Sequence, residues 1–358
     1  MTKRTKILIA LSFPLQFFVI KILANYPEFV ETYYSNGLYP YISKLFRIVF
    51  GWIPFSMGDI FYTIAIILII RYIYKNVRLV RTEYKRILLD VYITITVAYF
   101  AFHLLWGMNY YRLPLYKSLE LDRKYTTEEL VNFTERVIAK ANAVQFQITQ
   151  NDTIKVDIPY TADEIFDKTM NGYENFSAKE PMFAFSSQSL KTSIYSSFLT
   201  MMGFSGYINP FTNEAQVNSK IPLYKFPVTA SHEKSHQVGF AAENEANFIG
   251  CMTALHNDDI YFKYGAYNFM TWHCLKEVFN RDKDEYERLK ATLNSGIQKN
   301  YDEVREFWIA HKNPLKPLFK FTFDQFLKAN NQSKGILSYS YVVSLLVNYD
   351  KKNVIIPQ

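Results

Sequence analysis

Two apolar runs, residues 56–74 and 88–108, constrain this chain more than any other feature in it. Each is close to the roughly 20 residues with which an α-helix crosses a bilayer, and a helix satisfies its own backbone hydrogen bonds there. A third run, residues 7–23, contains Pro14 and Lys21. A lysine near a helix end can reach back to the interface, so this run is also read as a span. Its basic start (Lys3, Arg4, Lys6) resembles a secretory leader, but no small-x-small cleavage site follows, and a retained anchor is expected.

Charge supports the same reading. The chain carries a net +7, and residues 1–111 hold all of it, with 12 Lys/Arg against 5 Asp/Glu. The remaining residues sum to zero, which speaks against a nucleic-acid partner. The connection at 71–86 has six basic residues and one acidic, whereas the 25–51 loop balances Lys44 and Arg47 against Glu28 and Glu31. By the positive-inside rule the N-terminus and the 75–87 loop are cytoplasmic. Three spans then place everything after about residue 110 outside. The expected organisation is a membrane domain at 1–111 and an extracytoplasmic domain at 112–358.

The second part reads as mostly helical. Thr126 with Glu129, and Thr161 with Glu164, form capping-box patterns ahead of amphipathic runs. Helical spacing fails in "TSIYSSFLTMMGFSGYINPFTNEAQVN", where Gly203, Gly206 and Pro210 among aromatics indicate short strands and turns. Helices resume near Phe226. Cys251 and Cys274 are too few for a disulfide scaffold or a thiolate metal cage.

The chemistry is concentrated in "ASHEKSHQVGFAAENEANFIG", residues 230–250. His232 and His236 are four apart and share one helix face, where two neutral imidazoles reach one Zn²⁺ ion; Glu233 beside them suits a general base. The metal would bring the pKa of a bound water toward roughly 7, and Glu233 would carry its proton to the leaving amine. A third protein ligand leaves one position open. Glu243 and Glu245 are the candidates. On an unbroken helix Glu243 would lie about 16 Å from His232 at 1.5 Å per residue, so the chain must reverse at Gly239-Phe240 into a second helix. On that helix Glu243 shares a face with Ala246, Asn247 and Gly250, while Glu245 sits on the oily side. Glu243 is therefore preferred and Glu245 kept as the alternative, with Asn247 one turn on to hold an imidazole. The competing reading makes "HEKSH" a solvated helix face, with Lys234 and Ser235 pointing to water.

"HEKSHQVGFAAENEANF", with "GFSGYINPFTNEAQVN" upstream and three N-terminal spans, resembles the bacterial domain-of-unknown-function 3810 family over essentially the whole chain. The resemblance implies a bacterial inner-membrane protein with a zincin-like α+β domain, periplasmic or extracellular, one Zn²⁺ ion, and no assigned substrate. The "ENEAN" run is similar, more distantly, to the Glu-x-x-Ala-Asp pattern of HtpX-type membrane gluzincins, which places Glu243 as ligand and Asn247 where those proteins have Asp. Ala242 stands where a metzincin has its third histidine, which excludes that ligation. In zincins an edge strand lies above the metal and pairs with extended substrate; "SGYINPFTNEAQVN" would supply it, or else form a connecting loop. Tyr339 and Tyr341 are candidate oxyanion donors.

The expected fold is mainly α, with three transmembrane helices and then a mostly helical domain with a short edge strand. The expected function is a membrane-anchored zinc metallopeptidase acting on a peptide or protein, with the lipid bilayer as its other partner. The alternative is a catalytically inactive zincin-like scaffold of the cell envelope.

Overall fold

The computed structural model describes residues 2–332, 335 and 341–356. It is 73% helical and 3% strand, so the chain is mainly α with one small sheet. The N-terminal part runs α1 (Lys3–Leu23), a single turn α2 (Pro27–Phe29), a π-helical stretch Val30–Leu38, α3 (Tyr39–Gly51), α4 (Met57–Asn76) and α5 (Tyr84–Leu105). Helices over Arg4–Leu23, Met57–Leu79 and Tyr84–Leu105 are long and apolar enough to cross a membrane. Their outward faces are apolar and exposed, as with Leu11 and Leu15 on α1 and Ile70 and Ile73 on α4. α1 packs along α5, and α4 meets α5 through the Tyr72 hydroxyl, which donates to Asp90 at 3.1 Å.

Two details differ from the sequence reading. The 25–51 segment is helical, and it buries Tyr39, Ser43 and Arg47, one residue per turn. Its charges are structural: Glu31 pairs with Arg112, and the Arg47 guanidinium lies over the Phe185 ring. The third apolar run also ends early. Trp106 leaves the helix (φ −158), and Gly107–Tyr111 form a buried 3-10 turn directed at the second half of the chain. Those last apolar residues serve packing against protein, which hydropathy cannot separate from lipid contact.

The rest of the chain continues through a turn α6 (Leu115–Ser118), α7 (Thr127–Thr149), α8 (Ala162–Ser177), β1 (Leu190–Thr192), α9 (Ser196–Met202), β2 (Gly206–Asn209) and β3 (Glu214–Val217). There follow α10 (Phe226–Val238), α11 (Glu243–Leu255), α12 (Ile260–Arg281), α13 (Lys283–Ala291), α14 (Ser295–Ala310), α15 (Lys316–Ala329) and α16 (Val342–Asn353). α7 and α8 both open with the full reciprocal capping box expected of Thr126/Glu129 and Thr161/Glu164. α10 and α11 lie centrally, flanked by α8, α12 and α16. The core they share includes Phe133, Phe176, Phe248 and Phe262. Cys251 and Cys274 are free within it.

The sheet order is β1-β3-β2, with β1 parallel and β2 antiparallel to β3. The hairpin turn is set by Asn209, whose side-chain oxygen accepts from the Phe211 and Thr212 N–H groups, and by Asn213 at φ 54. β2 is thus an edge strand where the sequence allowed either a strand or a loop. Glu214 is fully buried. It accepts from Lys191 Nζ at 2.5 Å and from the Met57 N–H at 3.1 Å, so its carboxylate sits on the N-terminus of α4 and ties the hairpin to a membrane-length helix.

Candidate metal centre

α10 ends where the sequence requires. Gly239 adopts φ +102, a left-handed position that suits glycine, and its N–H returns to the His236 and Ser235 carbonyls. Four residues later Glu243 opens α11, which folds back against α10. The helices meet closely at Gly250, where a Cβ would fall 2.7 Å from the His232 nitrogen and 2.8 Å from its Cα. Both are backbone atoms and cannot swing aside. Gly250→Ala is expected to lower stability by about 1–3 kcal/mol through this overpacking, read as a lower thermal midpoint of the full chain in detergent.

The reversal brings His232, His236 and Glu243 together. The Glu243 Oε2 lies 3.3 Å from His232 Nε2 and 3.8 Å from His236 Nε2, and the two rings stand perpendicular at 4.9 Å. Ligand atoms of His232, Glu233 and His236 lie within 4.8 Å of one another. Two donors on one tetrahedral zinc, each about 2.0–2.1 Å from it, are separated by roughly 3.3 Å, so these side chains fit such an ion. The His236 Nδ1 is 2.7 Å from the Phe240 carbonyl and therefore carries the proton, which leaves Nε2 with its lone pair toward the cluster. Burial pushes His236 down to about 4 against the pull of Glu243, so its ring is neutral, the ligating form. At His232 burial also opposes charge, but the Glu243 hydrogen bond and the Glu233 and Glu243 charges outweigh it and the pKa is raised.

Glu233 is buried, with Oε1 against the α-carbon of Gly206, where a Cβ would come within 2.5 Å. Among the described residues its buried Oε2 has no hydrogen-bond partner, which suits a group aimed at a bound water. Burial pushes this carboxyl up to about 8, with His232 pulling it down and Glu243 pushing it further up. Glu245 points elsewhere: its Oε1 accepts the Leu115 N–H at 2.7 Å and so caps α6. Asn247 lies beside His232, as its place on α11 implied. Tyr341 is 40% exposed at the start of α16 and does not line the cavity in front of the histidines; Tyr339 lies outside the described residues.

The "HEKSH" stretch is not a solvated face. Lys234 is wholly buried between the Tyr173 and Phe185 rings, 4.9 and 4.7 Å from their centres, with Nζ 3.2 Å from Thr169 Oγ1. Burial holds its ammonium well below the ordinary lysine range.

Sequence reasoning missed the groups that hold α10 from the N-terminal side. Trp106 Nε1 donates to the His236 carbonyl at 3.1 Å. The Tyr39 hydroxyl donates to the His236 and Gln237 carbonyls at 3.2 and 3.0 Å, and accepts from Asn213 at 2.8 Å. Arg112 donates to the Gly239 carbonyl at 2.9 Å and grips Glu31 with two further bonds. Carbonyls at and just past a helix end lack their usual helical donors, but nothing local in the sequence says which distant residues reach them. Tyr110 was missed as well. It lines the cavity, and burial followed by the Glu243 charge holds its hydroxyl well above the usual phenol range, so it remains a donor.

The cavity measures about 1750 Å³ and is bordered on one side by β2 residues Gly206, Tyr207 and Ile208. No curated protein and no solved structure matches this chain. Residues 34–347 match the family described as protein of unknown function (DUF3810), and the chain belongs to that family.

Proposed function

We propose that the chain is a membrane-anchored zinc metallopeptidase with its N-terminus in the cytoplasm and its catalytic groups at the outer surface of a bacterial inner membrane. The observation that carries the reading is the convergence of His232 Nε2, His236 Nε2 and Glu243 Oε2 around one point, with Glu233 alongside. It has the composition of a catalytic zinc site in zincins, two histidines and a carboxylate with one position open. Bound there, a zinc ion supplies Lewis acidity that makes water nucleophilic near neutral pH.

The chain's own residues do the remainder. Glu233 accepts the proton that water loses and delivers it to the nitrogen of the breaking C–N bond, leaving a carboxylate and an amine. The edge of β2, unpaired among the described residues, offers backbone groups to an extended peptide, and Gly206, lacking a side chain, leaves room for the Glu233 carboxylate against that strand. The Tyr110 hydroxyl is a phenolic donor beside Glu243, a place that the exposed Tyr341 does not take.

Metal analysis on the purified full chain tests the site. One zinc per chain is expected, removable by chelator, and lost from His232→Ala and Glu243→Ala. Glu245→Ala should keep its zinc, since Glu245 is engaged with Leu115. A zinc-loaded chain that never cleaves a peptide library would favour the scaffold, and equal zinc in wild type and Glu243→Ala would remove Glu243 from the ligand set.

A further inference from the structure

The cavity in front of the histidines is not confined to the extramembrane half. One wall is formed by Tyr62, Ile66 and Ile69 of α4, at helical spacing, and the facing wall includes Phe102 of α5 with Phe323 and Phe326 of α15. Ile66 and Ile69 are 50% and 56% exposed, so this flank is open along α4. α15 is apolar on two sides. Phe323 and Phe326 meet the Phe204 and Phe102 rings at 5.0 and 6.0 Å, whereas Leu318 and Phe321 on another side are 59% and 63% exposed. A helix with this pattern next to membrane-length helices suits the bilayer interface.

Size and charge narrow the occupant. The apolar wall along α4, from Tyr62 to Ile69, spans about 10 Å at 1.5 Å per residue. A spanning helix fills a hydrocarbon core of about 30 Å, so this slot suits a flexible hydrocarbon chain. The whole cavity, at about 1750 Å³, exceeds the roughly 300–1,000 Å³ of a drug-sized site. Its rim is basic: Arg305, Lys312, Lys316 and Lys320 line it, while its acidic lining residues are Glu233 and Glu243 at the metal centre. Lys316 lies over the Trp308 ring at 4.7 Å, and burial, then Lys320 and Lys312, lower its pKa, as a cluster of like charges next to apolar surface does.

We propose that the substrate is a lipid-modified acidic peptide, its hydrocarbon chain between α4 and α15, its anionic group on the Lys312–Lys316–Lys320 rim, and its backbone along β2. The bond that is cut rests on the peptidase reading above; the binding of the chain does not.

The test uses the full-length, zinc-loaded Glu233→Gln protein in phosphatidylcholine nanodiscs. The probes are a fluorescent N-palmitoyl decapeptide with two aspartates beside the acylated end, its unacylated twin, and an acylated twin with asparagines, each corrected for uptake by empty nanodiscs. The palmitoyl probe should bind at least tenfold tighter than the unacylated one. Ile66→Trp, which fills the slot, should erase that preference, while Leu68→Trp on the lipid side of the same helix should keep it. Equal zinc content in the two variants would show that both are folded. Lys316→Glu with Lys320→Glu should weaken the aspartate probe at least fivefold and the asparagine probe little. Equal affinity for the acylated and unacylated probes, a preference that survives Ile66→Trp, or equal displacement by an unacylated transmembrane peptide would overturn the proposal. Turnover by the wild type is scored separately: preferential binding with neither peptide cleaved would reject the peptidase reading and leave the ligand class standing.

Discussion

Glu233→Gln is expected to hold zinc like the wild type and to hydrolyse peptide about 10²–10⁴-fold more slowly, the span typical of a lost general base. A thousandfold loss corresponds to about 4 kcal/mol of transition-state stabilisation. The amide matches the carboxylate in size, so the close contact with Gly206 is preserved and the histidines are undisturbed. It cannot take a proton from water, however, and its NH₂ would place a donor where Glu233 Oε2 has no partner among the described residues. Glu233→Asp withdraws the carboxylate by one methylene and should recover only part of the rate. Metal content and kcat measured on the same preparations decide the matter, because full metal with full turnover in the glutamine variant would dismiss Glu233 as the base.

Arg112→Ala is expected to destabilise the chain by about 3–5 kcal/mol, the cost of stranding one member of a buried ion pair. Arg112 bonds both Glu31 oxygens, at 2.8 and 2.6 Å, and the Gly239 carbonyl at 2.9 Å, with its guanidinium 3.9 Å from the Phe240 ring centre. Glu31 has little exposure with which to recover solvation. Because the same arginine holds the turn that aims α11, zinc affinity should fall together with the thermal midpoint. Replacing both partners by apolar residues, Arg112→Met with Glu31→Leu, should restore much of the lost stability but not the bond to Gly239. If the single and double variants melt alike, the unpaired charge is not the source of the loss.

What the sequence disclosed was local. Thr126 with Glu129 states a helix start within four residues. His232, Glu233 and His236 state a helix face within five, and Gly239 forces a reversal because one ion cannot serve two groups about 16 Å apart. The three spans follow from apolar length alone, and the helices are there. What stayed hidden was non-local. Tyr39, Trp106 and Arg112 reach α10 across more than a hundred residues of sequence, and no periodicity marks a residue as the future donor to a distant carbonyl. Lys234 points to water only in the competing solvated-face reading, and lysine is seldom buried. Its burial between two aromatic rings depends on Tyr173 and Phe185, which arrive from other elements.

The grip of Tyr39 and Trp106 on the last carbonyls of α10 bears on shedding. A protease that severed the chain near residue 112 would release no working ectodomain. The freed piece would have lost the indole and the phenol that steady the second histidine, and would present a raw helix end to water. Anchor and scaffold are the same segment here, so the proposed peptidase activity is expected only where the chain is tethered and is expected to be silenced by release.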